Sequence, residues 1–124
     1  MLLQQLFSDP QTSFRSTEQL KLATWVVQPE NDMLAIMGTG EGKSIAWEIS
    51  GLLCQGTRKF TLVILPFKAI IVDAMQRAQS HGLSCKVFKA EDYPNHNYNS
   101  IAKLDILFAV AESLQTGAWY RCVT

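Results

Sequence analysis

Eight consecutive residues, Met37 to Ser44, constrain the fold of this chain more than any other segment. They read Met-Gly-Thr-Gly-Glu-Gly-Lys-Ser, and the alternating glycines let the backbone turn tightly with its N–H groups directed inward. Residues 33–37 before them form an apolar run of strand length, and residues 44–54 after them have apolar side chains at helical spacing. A strand, a glycine-rich turn and a helix N-terminus in this order form a nest that fits phosphate oxygens.

The side chains of this segment predict how it would hold a nucleotide. Lys43 carries a mobile positive charge that can reach the β- and γ-phosphates, and the Ser44 hydroxyl is placed to coordinate Mg²⁺. Met37 stands where the general nucleotide-binding pattern begins with glycine. The alternative interpretation is a glycine-rich turn that only joins a strand to a helix.

Length and composition exclude several classes of protein. At 124 residues the chain has room for one domain and one core. A hydrophobic share of 48% excludes a disordered chain, and no apolar stretch approaches the roughly 18 to 20 residues that cross a bilayer. The N-terminal residues lack the basic region and the long apolar run of a signal peptide. We therefore expect an intracellular protein without a membrane partner.

Charge and cysteine content limit the kinds of nucleic-acid and metal site that the chain can contain. The 11 basic residues balance 11 acidic residues, so any contact with nucleic acid must be local. Cys54, Cys85 and Cys122 are far apart in the sequence and form no Cys-x-x-Cys pair. This spacing favours reduced, structural cysteines over a zinc site, a metal cluster or a disulfide framework.

Helical and strand patterns alternate along the chain. Helices are predicted over residues 17–27, 44–54 and 69–81, with a last helix over 112–119. Strands are predicted over residues 33–37, 60–65, 85–88 and 106–110, and a loop over 91–100. Strands separated by helices predict an α/β fold with a mostly parallel sheet that is covered on both faces.

Four segments, taken in order, resemble the N-terminal RecA-like domain of superfamily 2 helicases, most closely the divergent RecQ-like type of fungi. They are residues 14–19 (Phe-Arg-Ser-Thr-Glu-Gln), 37–44, 63–73 (Val-Ile-Leu-Pro-Phe-Lys-Ala-Ile-Ile-Val-Asp) and 107–114 (Leu-Phe-Ala-Val-Ala-Glu-Ser-Leu). Residues 37–44 resemble that family's Walker A motif or P-loop, Met-Pro-Thr-Gly-Gly-Gly-Lys-Ser. This explains Met37, whereas Gly38 replaces the family's proline. The third and fourth segments resemble motifs Ia and Ib, with Ala111 in place of a proline.

The resemblance implies a partial P-loop NTPase (RecA-like) fold, a three-layer α/β sandwich with a mostly parallel sheet. It divides the chain into an N-terminal extension (1–11), a partial helicase ATP-binding domain (12–119) and a C-terminal tail (120–124). ATP and Mg²⁺ are the implied cofactors, and Ser44 is the implied metal ligand. The implied phosphate contacts, which we call the phosphate segment, are Gly38, Thr39, Gly40, Glu41, Gly42, Lys43 and Ser44.

Gln19 has two interpretations. By resemblance it would read the edge of the adenine through its side-chain amide. Alternatively it caps the helix over 17–27, where Ser16 stands at the N-cap and Gln19 three residues later completes a capping box.

The resemblance also implies a contact with single-stranded or duplex DNA. Pro66, Phe67 and Lys68 of motif Ia would touch the backbone of a single strand, and Glu112 would begin the helix of motif Ib near the DNA. The alternatives are that Lys68 is an ordinary solvated lysine and that Glu112 complements a helix dipole. A nuclear location and 3′-to-5′ unwinding are expected from the resemblance alone.

Turnover is not expected from this chain, and we predict no catalytic residue. Hydrolysis in the superfamily needs a second acidic motif, Asp-Glu-x-His, to hold Mg²⁺ and activate water, and the sequence contains none. We therefore expect a fragment of a RecQ-like DNA helicase, truncated before that motif, that binds ATP without hydrolysing it. The alternative is a stand-alone nucleotide-binding regulatory module; scattered arginines disfavour a small P-loop kinase.

The stability of the isolated chain is expected to be low. In related folds the strand that flanks the phosphate-segment strand comes after the acidic motif. Residues 33–37 would then expose an unpaired strand in the middle of the sheet, which favours aggregation.

Overall fold

A computed structural model of the chain describes residues 17–28, 32–36, 42–89 and 98–123. Three strands occur within these ranges: β1 (Thr61–Ile64), β2 (Cys85–Val87) and β3 (Ile106–Ala109). The helices are α1 (Thr17–Val27), α2 (Ile45–Cys54), α3 (Lys68–Ser80), α4 (Tyr98–Ile101), α5 (Ala111–Leu114) and α6 (Gly117–Val123). From α2 to α5 the helices and strands alternate; the sequence predicts this alternation except for α4, which lies in a predicted loop.

The three described strands form one parallel sheet in the order β1-β3-β2. Ile106 of β3 lies opposite Thr61 of β1 and also opposite Cys85 of β2. The last strand in the sequence therefore occupies the centre of the sheet, and α3 lies in the connection between the two outer strands.

The central strand is buried on both faces. Side chains of Ile106 and Phe108 join one apolar cluster, and those of Leu107 and Ala109 join a second cluster on the opposite face. All four residues have 0% exposure. A continuous apolar run, without alternation, is what a strand between two helical layers requires.

Two helical layers cover the sheet. One apolar cluster combines the sheet with buried residues of α1, α2 and α3, namely Ala23, Ile45, Ile49, Ile71, Ala74 and Ala78. The other combines it with Ile101 of α4 and with Ala118 and Cys122 of α6. The protein is thus a three-layer α/β sandwich with a parallel sheet, consistent with a partial RecA-like domain, and the expected fold class is confirmed.

Local chemistry explains where α3 ends. Gly82 adopts a left-handed backbone with φ of +82°, which costs glycine little because it lacks a Cβ. Its N–H donates to the carbonyl of Gln79, and the N–H of Leu83 donates to the carbonyl of Ala78. These two bonds form a Schellman motif, and they end the helix at the glycine that the sequence predicts.

The predicted strand over residues 33–37 is wrong for the residues that the structure describes. Residues 33–36 form no strand, and Leu34 and Ile36 are each 86% exposed. Met37 lies outside the described residues. A strand needs a hydrogen-bonding neighbour, and neither β1 nor β2 pairs with this segment. The expected unpaired strand in mid-sheet is therefore also absent from the described sheet, whose outer strands are β1 and β2.

Two smaller expectations also need correction. The predicted last helix over 112–119 is two helices, α5 and α6, separated at Thr116. The N–H of Trp119 donates to the Thr116 hydroxyl, which in turn donates to the carbonyl of Ser113, so Thr116 caps a new helix. The predicted loop over 91–100 contains the start of α4; residues 91–97 lie outside the described ranges.

Candidate functional site

Three residues of the phosphate segment are described: Gly42, Lys43 and Ser44. The other four, from Gly38 to Glu41, lie outside the described residues. Gly42 has φ of +76°, a conformation that residues with a Cβ rarely adopt. Its carbonyl accepts from the N–H of Ile45, and the carbonyl of Lys43 accepts from the N–H of Ala46, at 3.3 and 3.1 Å. The segment therefore runs directly into the first turn of α2.

The two side chains predicted to hold phosphate and Mg²⁺ stand at the N-terminus of this helix. Lys43 is exposed and Ser44 is half-buried. Ser44 occupies the N-cap position, yet its hydroxyl makes no capping hydrogen bond to α2. Since backbone N–H groups at a helix N-terminus attract anions, the arrangement is suited to a phosphate group.

Gln19 of α1 lies against the phosphate segment. It is only 5% exposed, and its side-chain Nε2 donates to the carbonyl of Gly42 at 3.3 Å. A Cβ on Gly42 would collide with the same nitrogen. The structure therefore brings together two predicted site residues, Gln19 and Gly42, that are 23 positions apart in the sequence; Ser16, the proposed N-cap, lies outside the described residues.

Pro66, Phe67 and Lys68 follow the carboxyl end of β1. All three are exposed, and Phe67 is 65% exposed. Glu112 is also exposed and lies in the first turn of α5, directly after β3. These residues therefore follow the same edge of the parallel sheet.

A cavity of about 500 Å³ opens at this edge, between α3, β2 and the start of α5. We call it the lysine cavity. Its polar lining consists of Lys68, Lys86, Lys89 and Ser113, and its apolar lining includes Ile71, Val72, Met75 and Phe88. Lys68 thus lines a cavity that Pro66, Phe67 and Glu112 do not line.

Sequence reasoning missed Lys86 and Lys89. They flank Val87 and Phe88 at the carboxyl end of β2, and ligands of open parallel sheets bind outside the carboxyl ends of the strands. Two lysines at the end of a predicted strand were the available signal.

Sequence reasoning also missed a buried carboxylate close to the phosphate segment. Glu48 of α2 has 0% exposure. Its carboxyl group contacts Arg77 in the last turn of α3 and His81, which follows that helix. Burial raises the pKa of Glu48, while the positive charges of His81 and Arg77 act in the opposite direction. The signal in the sequence was an acidic residue between Ile45 and Ile49 on the apolar face of a predicted helix.

Two of the three cysteines, Cys85 and Cys122, are buried, and Cys54 is half-buried. Burial raises the pKa of both buried thiols, which keeps them protonated and unreactive.

The residues that the structure describes contain neither a candidate metal cluster nor a candidate membrane span. No group of three or more His, Cys, Asp or Glu side chains there is arranged to hold a metal ion. No helix there is both long and apolar enough to cross a bilayer.

Comparison with known proteins identifies the family to which this chain belongs. The sequence profile of the DEAD/DEAH box helicases matches residues 16–121, which include Gln19, the whole phosphate segment and the lysine cavity. The chain therefore belongs to the DEAD/DEAH box helicase family, whose ATP-binding domains hold ATP together with Mg²⁺. This confirms the expected helicase ATP-binding domain.

One particular relative is the ATP-dependent DNA helicase RecQ of Haemophilus influenzae. It is 24% identical to this chain over 98 residues, which cover 75% of the chain and 15% of the RecQ protein. The chain thus spans about 15% of the length of this relative.

Proposed function

We propose that this chain is the ATP- and Mg²⁺-binding part of a RecQ-like, ATP-dependent DNA helicase. The observation that carries the proposal is the contact of Gln19 with Gly42, directly before Lys43 and Ser44 at the N-terminus of α2. The family match across residues 16–121 supports it.

Each residue of the site has a proposed role. Backbone N–H groups from Gly38 to Gly42 cradle the phosphates, and Lys43 neutralises the β- and γ-phosphates. Ser44 holds Mg²⁺ through its hydroxyl, and Mg²⁺ supplies charge neutralisation between the phosphates. By resemblance to the RecQ-like helicases, Gln19 reads the edge of the adenine.

The nucleic-acid contact is proposed for the edge of the sheet where Pro66, Phe67, Lys68 and Glu112 lie. Phosphates of a DNA strand would meet the lysine cavity, since lysines supply the local positive charge that a chain with balanced net charge needs. The name of the relative, an ATP-dependent DNA helicase, supports DNA as the strand. The proposed 3′-to-5′ polarity of unwinding and the proposed intracellular, nuclear location rest only on the resemblance to the RecQ-like helicases of fungi.

A second candidate is a nucleotide-binding regulatory module that does not unwind DNA. For such a module, nucleotide occupancy without turnover would suffice as the regulatory signal. An Asp-Glu-x-His segment encoded in frame downstream would favour the helicase fragment instead.

The nucleotide proposal is tested by titrating a fluorescent ATP analogue in the presence of Mg²⁺. We expect Lys43→Ala to weaken binding by about tenfold or more, which corresponds to about 1.4 kcal/mol. Lys59→Ala, which removes an exposed lysine distant in sequence from the phosphate segment, is the matched control and should bind like wild type. Equal binding by all three proteins would contradict the proposal, and hydrolysis above background would contradict the expected lack of turnover.

The nucleic-acid proposal is tested with a labelled single-stranded oligonucleotide by fluorescence anisotropy over a range of salt concentrations. We expect Lys68→Ala to weaken binding and to reduce the log–log salt slope by about 1. Lys103→Ala, an exposed lysine outside the lysine cavity, should leave both quantities unchanged. An unchanged slope for Lys68→Ala would show that this lysine is simply solvated.

A further inference from the structure

Glu48 is an acidic residue on the apolar face of the helix that follows the phosphate segment. Its neighbours on that face, Ile45 and Ile49, belong to the core, with 3% and 1% exposure. Glu48 itself has 0% exposure. It stands four residues after Ser44, about 6 Å further along the helix axis.

The Glu48 carboxylate connects α2 to the end of α3. Its Oε2 lies 3.1 Å from Nδ1 of His81, and its Oε1 lies 3.8 Å from Nε of Arg77. The Oε1 atom is buried and makes no hydrogen bond. The contact joins residues that are 33 positions apart in the sequence, and it is a polar link beside the apolar cluster of this layer.

Stability alone gives little reason for this arrangement. A carboxyl group buried beside polar partners loses hydration energy that their attraction does not fully recover, and apolar residues of similar volume are often as stable or more stable. Glu48 also leaves one oxygen without a hydrogen bond, which adds a cost of desolvation. The link is therefore better explained by what it orients.

The backbone of Glu48 is hydrogen-bonded to the N-cap residue of α2. Its N–H donates to the carbonyl of Ser44 at 3.2 Å. In the same turn the N–H of Ala46 donates to the carbonyl of Lys43. The turn that carries Lys43 and Ser44 is thus connected to α3 through the backbone and the side chain of Glu48.

We propose that Glu48 is a positioning residue for the phosphate site. Its carboxylate, held by His81 and Arg77, fixes the rotation of α2 about its axis and so directs Lys43 and Ser44 toward the bound phosphates. The affinity readout rests on the proposed nucleotide binding. The ordering of the first turn of α2 is measured without any nucleotide.

The main experiment replaces the polar pair with an apolar pair, Glu48→Leu/His81→Leu, in the full chain. We expect this variant to melt at or above the wild-type temperature. The amides of Ile45 and Ala46 should nevertheless exchange about tenfold faster than in wild type, because the first turn is no longer held. Binding of the fluorescent ATP analogue with Mg²⁺ should weaken by about tenfold.

Single substitutions at His81 test the same role without relying on the Glu48→Leu/His81→Leu variant to fold. We expect His81→Ala to accelerate exchange at Ile45 and Ala46, and His81→Gln, whose amide can donate to the carboxylate, to restore most of the protection. Amides of β3 serve as the internal reference, since a general loss of stability would accelerate them equally.

The possible outcomes separate the two proposals. Exchange at Ile45 and Ala46 that stays within about twofold of wild type in His81→Ala would overturn the positioning role, as would acceleration equal to that of β3. If wild type and Lys43→Ala both fail to bind the nucleotide, the proposed function fails, while the exchange measurement still decides whether Glu48 orders the first turn.

Discussion

Two apolar segments of this chain, β3 and residues 33–36, are similar in composition and opposite in environment. Every residue of β3 has 0% exposure, whereas Leu34 and Ile36 are 86% exposed. β3 has a paired strand on each side and a helical layer on each face. Residues 33–36 pair with neither outer strand of the described sheet. The comparison teaches that an apolar run becomes a buried strand only where partners for its backbone and cover for its side chains exist.

The strongest test of this comparison substitutes leucine by alanine in both segments. We expect Leu107→Ala in β3 to lower the free energy of unfolding by about 2–5 kcal/mol, because it removes buried methyl groups and leaves a cavity. Leu34→Ala should change it by less than about 0.5 kcal/mol. Urea unfolding followed by circular dichroism measures both values, and equal losses would refute the contrast.

The wild-type curve from the same measurement tests the expected low stability of the chain. We expect a free energy of unfolding at or below the lower end of the usual range of about 5–15 kcal/mol. In that case Leu107→Ala is largely unfolded without urea. A sharp transition of ordinary stability would contradict the expectation.

An intermediate test uses β1, whose two faces differ in exposure. Val63, which belongs to the cluster with Phe108, is 7% exposed, whereas Ile64 on the other face is 53% exposed. We expect Val63→Ala to cost about 1–3 kcal/mol and Ile64→Ala less than about 1 kcal/mol, although isoleucine is the larger side chain. The same urea titration measures both free energies of unfolding. A larger loss for Ile64→Ala than for Val63→Ala would mean that the face of β1 carrying Ile64 is the better covered one.

A smaller effect is the dependence of stability on pH that Glu48 causes in the helical layer containing α2. Burial raises the pKa of Glu48 above its ordinary value of 4.5, although His81 and Arg77 oppose the shift. The folded protein therefore binds this proton more tightly than the unfolded chain does. The resulting stabilisation is fully present below pH 4.5 and is lost as the pH rises through the raised pKa.

The side chain of Glu48→Gln does not titrate. The free energy of unfolding of this variant, relative to that of wild type, should therefore increase as the pH rises from 4.5 through the raised pKa of Glu48. Urea unfolding of both proteins at a series of pH values measures the difference. Leu34→Ala, which changes no charge, should parallel wild type throughout. A relative stability of Glu48→Gln that falls with rising pH would show that attraction to His81 and Arg77 outweighs burial.

Local sequence patterns predicted the features that depend on neighbouring residues. The end of α3 at Gly82, the uninterrupted apolar strand β3 and the turn from Gly42 into α2 all follow from residues a few positions apart. The parallel arrangement of the strands followed from the alternation of helices and strands.

The remaining features depend on partners that are distant in the sequence. The apolar pattern of residues 33–36 is equally typical of a buried strand, and only the sheet order shows that no outer strand pairs with them. The packing of α3 brings His81 to Glu48. The same packing places Lys68 in one cavity with Lys86 and Lys89. Thr116 was missed because its capping role competes with a helical pattern that continues on both sides.

The contact between Gly42 and Gln19 has a mechanical consequence. The amide of Gln19 fills the space that a Cβ on Gly42 would occupy. A ligand that reshapes the turn has to move this amide, which is the flexible end of a side chain anchored on α1. The rotamer of Gln19 thereby becomes coupled to the conformation of Gly42.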